Sequence, residues 1–148
     1  MENINMNLES QVCSLELAKQ LKELGVEKSS LFYWGAYENP LSGIVSEKTC
    51  SDDDWDIYYC DDKTYKKCPP DWDYPAYTVA ELGEMLPDIL KENFTLWMKK
   101  YENSWVYDYS YKSISITGDC ETIFSDKTEA NARAEMLIWL IENGHMKP

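Results

Sequence analysis

Three stretches between Phe94 and Thr117 read as consecutive β-strands, and that run constrains the fold more than any other part of the chain. Phe94 to Tyr101 and Trp105 to Tyr111 are rich in aromatic residues and are separated by a turn at Glu102-Asn103. Ile114 and Ile116 then alternate with Ser113, Ser115 and Thr117 ahead of Gly118, as in a strand buried on one face. Strands joined this closely pair antiparallel. The chain therefore has to build an antiparallel sheet and cover one side of it.

Helices supply the cover. Ser14 as N-cap, Glu16 at the positive end of the dipole and Gly25 at the left-handed C′ position bound a helix from Leu15 to Leu24. Its Leu17, Leu21 and Leu24 share one face, with Ala18 beside them. Thr78 and Glu81 form a capping box, Tyr77 is placed to staple onto Leu82, and Pro87 stops the helix. Val79, Leu82 and Leu86 lie on one side of it. Gly83 inside so short a helix costs about 1 kcal/mol relative to Ala, which predicts close approach to a neighbouring backbone. A third helix runs from Lys127 to Asn143, with Asp126 and Glu129 resembling a capping box, Gly144 past its end, and Ala130, Ala134, Leu137 and Ile141 as its core stripe.

Leu31 to Tyr37 adds a strand, and Ile57 to Cys60 a short one. The order α-β-(β)-α-β-β-β-α predicts an α+β fold, an antiparallel sheet of about four to five strands with three helices packed mainly on one face. A chain of 148 residues suits one domain, 1–148. Within it, turn signals at Asn39-Pro40 and Ser42-Gly43 and a crowd of aspartates mark about 38–73 as an acidic, cysteine-containing surface excursion.

Composition excludes several functions. With 27 acidic and 14 basic residues the net charge is −13, which repels phosphate backbones and argues against direct binding of a DNA or RNA duplex. No apolar run reaches the roughly 18 residues of a membrane span, and the N-terminal residues lack the stages of a secretory signal, so an intracellular location is expected. The five cysteines, Cys13, Cys50, Cys60, Cys68 and Cys120, form no C-x-x-C pair, and the spacing of Cys50, Cys60 and Cys68 matches no standard zinc finger. Asp52, Asp54 and Asp56 begin an EF-hand-like loop, but Ile57 stands where Gly is needed and Lys63 where Glu is needed. No metal or cofactor is expected. The single histidine, His145, lies beyond the last helix, with no second one to activate a serine or cysteine. There is no Gly-rich phosphate loop. The expectation is a protein that is not an enzyme.

Eleven Tyr, six Trp and three Phe remain to be explained. Alternation puts Trp105, Tyr107, Tyr109 and Tyr111 on one strand face, opposite Val106, Asp108 and Ser110. Such a stripe is either core beneath helices or a platform on which nucleobases stack, gaining about 1–3 kcal/mol per base. Tyr33, Trp34 and Tyr74, with Trp55 and Trp72, are candidates to extend it. Arg133, the lone arginine, is either a surface ion-pair partner or a clamp for a ligand's phosphate or carboxylate. On the last helix Trp139 points about 180° and Met136 about 240° from Ala130. Both leave the core stripe, so either the excursion or a second subunit is expected to cover them.

The blocks SLELAKQLKELGV (14–26), SLFYW (30–34), YPAYTVAELGEMLP (74–87) and EANARAEML (129–137) together resemble a family of small hypothetical proteins encoded by bacteriophages and prophages. The resemblance covers about half the chain, leaves 38–73 outside and carries no catalytic residue. It implies a phage accessory protein in the cytoplasm of an infected bacterium, with counter-defence as the expected role. One form of that role is a sponge that sequesters a nucleotide-derived immune signal in an aromatic-lined pocket, with Arg133 and lysines on phosphate. Another is an acidic nucleic-acid mimic that occupies the basic groove of a host defence protein. A third is an accessory or structural protein without a ligand.

Overall fold

The computed structural model describes residues 7–36, 55–59, 73–90, 94–111 and 120–148. Their order is a 3-10 turn at Leu8–Ser10, α1 (Leu15–Glu23), β1 (Phe32–Ala36), β2 (Trp55–Tyr59), β3 (Tyr74–Pro75), α2 (Val79–Met85), β4 (Ile89–Leu90), β5 (Phe94–Tyr101), β6 (Ser104–Tyr111), β7 (Cys120–Asp126) and α3 (Glu129–Glu142). The class is α+β. The strands divide between two antiparallel sheets rather than forming one, in the orders β2-β1-β3 and β4-β5-β6-β7.

Local chemistry explains the ends of the elements. Ser14 Oγ accepts from Leu17 N–H, and Gly25 takes a left-handed φ of +89° after α1, a conformation that other residues adopt at a steric cost. The capping box of α2 is complete: Thr78 Oγ1 accepts from Glu81 N–H at 3.2 Å, and Glu81 Oε2 accepts from Thr78 N–H at 2.8 Å. The cap of α3 is Thr128, not Asp126. Thr128 Oγ1 accepts from Asn131 N–H, while Asp126 Oδ1 accepts from Thr128 N–H and from the Asn131 amide. The expected strand at Ile114 to Thr117 and most of the acidic excursion lie outside the described residues. Sequence alternation did not announce β7.

Seven of the fourteen residues of α3 are buried: Ala130, Ala132, Ala134, Met136, Leu137, Ile138 and Leu140. A helix buried on more than one stripe sits between layers. Accordingly α3 packs on β6 and β7 and also against α1 and α2, while α1 reaches β3. Met136, expected to lie off the core stripe and to be covered by the excursion or a second subunit, needs no second subunit. Met136 is fully buried by the chain's own core. Trp139 is half-buried, with the His145 ring 4.9 Å away and Leu17, Gln20 and Phe124 around the adjacent recess.

Gly83 also differs from its expected role. What approaches it is not a backbone but the Arg133 guanidinium of α3: a Cβ at position 83 would overlap Arg133 Nη1.

Candidate ligand-binding cleft

Lys19 and Lys22 stand three residues apart on α1, neighbours on the helix surface, and reach over rings of the three-stranded sheet. Lys19 Nζ lies 4.7 Å from the centre of the Trp55 ring and 5.4 Å from that of Tyr74; Lys22 Nζ lies 4.8 Å from Tyr74. The Trp55 and Tyr74 rings are 5.7 Å apart. Lys22 Nζ also donates to the Asp73 carbonyl at 3.0 Å. These separations are those of cation–π contacts, and they tie the end of α1 to β3.

Beside this cluster opens a cleft of about 490 Å³, lined by Lys22, Val26, Glu27, Lys28, Ser29, Tyr33, Asp73 and Pro75. Tyr33 is half-buried on β1; its ring stacks on Tyr58 at 6.0 Å and 24°, and its hydroxyl oxygen accepts from Ser30 N–H at 3.3 Å. The ring is thus held in one orientation from two sides. Lys28 is largely exposed and pairs with Glu84 at 3.6 Å across the surface. Its carbonyl accepts from the Tyr77 hydroxyl at 2.5 Å, which fixes the loop that carries the ammonium. Burial pushes the Tyr77 phenol well above its ordinary range, so that hydroxyl remains a donor.

The predicted aromatic residues do not meet in one place. Neighbours on a strand face opposite ways. Where Tyr33 lines the cleft, Trp34 turns towards the helices and its indole N–H donates to the Cys13 carbonyl at 2.9 Å. Tyr74 is buried and supports Lys22 from below. Trp105 belongs to the other sheet, in a pocket of about 260 Å³ with Val79, Lys100, Lys127 and Glu129, where Lys100 Nζ lies 5.2 Å from its ring. Tyr107 and Tyr109 pair with Met98 and Leu96 along β6, and their side chains lie outside the described residues. Arg133 lines neither cavity. Its Nε and Nη2 both donate to Glu129 Oε1, at 3.0 and 2.6 Å, and it is wedged against Gly83 in the α2–α3 contact. That is the ion-pair reading of the two given above.

Volume separates the two cavities. Small-molecule sites run from about 300 to 1,000 Å³, which admits the Tyr33 cleft and leaves the Trp105 pocket short. The Tyr33 cleft offers one oriented ring, two ammonium groups and two carboxylates, with neither histidine nor thiol in its lining. Such a set can hold a flat anion. Cys13, the buried thiol nearby, has its pKa pushed up to about 12 by burial and is no nucleophile at neutral pH. Among the described residues no cluster of three His, Cys, Asp or Glu side chains is arranged to hold a metal ion. None of the helices described is long and apolar enough to cross a membrane.

Sequence reasoning named Tyr33 and Tyr74 but missed Lys22 and Lys28 as site residues, and Lys19 as a member of the ring cluster beside them. The signal was available in part: Lys19 and Lys22 are three apart on a helix whose leucines face elsewhere. Fold and cleft together define an α+β protein of two antiparallel sheets with a lysine- and tyrosine-lined recess. Comparison with protein-family models, with curated proteins and with solved structures gives no match to this chain.

Proposed function

We propose that this protein binds a small, flat, anionic ligand of nucleotide type in the Tyr33 cleft and does not transform it. The observation that carries the reading is one cleft of about 490 Å³ that presents the Tyr33 ring together with the Lys22 and Lys28 ammonium groups. A planar base gains about 1–3 kcal/mol by stacking on such a ring, and the ammonium groups hold phosphate as point charges. Glu27 and Asp73 balance the two lysines formally, which selects ligands with few phosphates, such as cyclic nucleotides or ADP-ribose derivatives, over polyphosphates. In the bacteriophage setting implied by the sequence resemblance, the ligand is a nucleotide-derived signal of host immunity and the chain is a sponge for it.

Isothermal calorimetry against a panel of cyclic nucleotides and ADP-ribose derivatives tests this. The expected result is saturable binding that Tyr33→Ala weakens about 5- to 150-fold, the equivalent of one lost stack. Tyr33→Phe keeps the ring and should bind nearly as well. No heat with any member of the panel removes the reading. The net charge of −13 favours one competitor, an acidic mimic that docks on a basic nucleic-acid-binding protein. Salt-sensitive capture of a basic host nuclease, with no nucleotide binding, would establish that competitor instead.

A further inference from the structure

A second cavity adjoins the first and shares Val26, Glu27 and Lys28 with it. It holds about 340 Å³, and beyond those three residues its walls are chiefly Met85, Leu137, Ile141 and Met146. The end of α2 and the last turn of α3 each contribute one side. The segment after α3 closes over the space. Gly144 turns the chain at a left-handed φ of +70°, His145 N–H donates to the Leu140 carbonyl at 2.9 Å, and Pro148 lies beside Gly25. Water in such a recess finds few polar partners, so an apolar guest displaces it favourably. Two of the walls are methionines, whose unbranched thioethers adapt to an irregular chain. Polar side chains enter the lining only as Glu27 and Lys28, both exposed. Lys28 is paired with Glu84 in solvent at 3.6 Å. Exposed pairs of this kind contribute little, and an incoming anion can take over the ammonium.

We propose that this cavity is a binding site for a medium-length aliphatic chain ending in a carboxylate. The chain lies among Met85, Ile141 and Met146, and the carboxylate meets the Lys28 ammonium at the rim. The site adjoins the cleft around Tyr33 and shares the Lys28 rim with it, but its apolar walls are its own, and the two readings fail separately. Nucleotide binding is read with Tyr33→Ala, chain binding with substitutions at Ile141 and Met146.

The test is calorimetric titration of the native protein with hexanoate, octanoate and decanoate. One saturable site is expected, tightening about fourfold for each added methylene, as the transfer of a buried methylene from water requires. Decanol should bind more weakly than decanoate, and Lys28→Met, which removes the ammonium and keeps most of the stem, should erase that difference. Ile141→Trp fills the cavity and should abolish binding. Met146→Trp, on the more accessible segment after α3, does the same with less demand on the core, and circular dichroism verifies that each variant is folded. Folded native protein that shows no saturable decanoate binding overturns the proposal. So does an affinity indifferent to chain length, or one that both tryptophan variants retain.

Discussion

Gly83 and Arg133 make one device that neither residue reveals alone. The missing Cβ leaves room for the guanidinium, which Glu129 holds through two N–H donors on one oxygen. Gly83→Ala gains about 1 kcal/mol of helix propensity and displaces Arg133 from a partly buried pair, so in the native background the two effects oppose. In an Arg133→Ala background only the gain remains, and Gly83→Ala should stabilise the protein by about 1 kcal/mol. A double-mutant cycle by urea denaturation reads the coupling directly, and a coupling near zero would deny the device. Glu135 gives a prediction of the opposite kind. Burial, with the Asp126 carboxylate second, raises its pKa above the ordinary carboxyl value. A carboxyl raised in the folded state contributes its stability below the unfolded pKa of about 4.3 and loses it as pH rises through the folded value. Glu135→Gln, which imitates the protonated form, should therefore raise the melting temperature at neutral pH and leave it unchanged near pH 4. A shift of equal size at both pH values would assign the effect to packing instead.

At the scale of elements, Glu81 does more than close the box at α2. Its carboxylate accepts from Thr78 N–H and from Leu31 N–H at 2.9 Å, and lies 2.9 Å from Ser30 Oγ. One side chain thereby joins the start of α2 to the approach of β1, which carries Tyr33. Thr78→Ala removes a single cap and should cost about 0.5–2 kcal/mol. Glu81→Ala removes the acceptor of Thr78 N–H and of Leu31 N–H and should cost more, by about 1–3 kcal/mol for the part-buried Thr78 N–H and less for Leu31 N–H, which water reaches. Chemical denaturation ranks the two, and equal losses would show that the link to β1 carries no stability. What was legible in the sequence follows the same division. Ser14, Thr78, Gly25 and Gly144, and Glu81 in its capping role, act within a few residues of chain, and each end they mark on α1, α2 and α3 is where local chemistry puts it. Pairing partners are not local. Nothing in the residues of β1 announces that it joins β2 and β3 in a sheet of its own. The cleft inherits that difficulty: Lys28 and Asp73 meet there only because β3 returns beside β1.

The central position of α3 decides how the whole molecule responds to damage. A single apolar stripe describes a helix that covers a core from outside, and by that reading Met136 faces away. A helix packed on β6 and β7 with α1 and α2 against its other sides has no outside along its middle turns. Met136 consequently contributes as much as Leu137 or Leu140, all three essentially without exposure. Truncating a buried Met or Leu to Ala typically costs about 2–5 kcal/mol through lost transfer energy and the cavity left behind. Since α3 touches elements on both sides of it, the loss should be felt throughout. For Met136→Ala the midpoint in urea should fall by the equivalent of about 2–5 kcal/mol, identically by far-UV circular dichroism and by tryptophan fluorescence, as one cooperative transition requires. Light scattering should give the same mass for variant and native protein at matched concentration. A change of mass with stability intact would mean that Met136 serves a contact between copies, and a split between the two probes would mean that the helix does not couple the layers it separates.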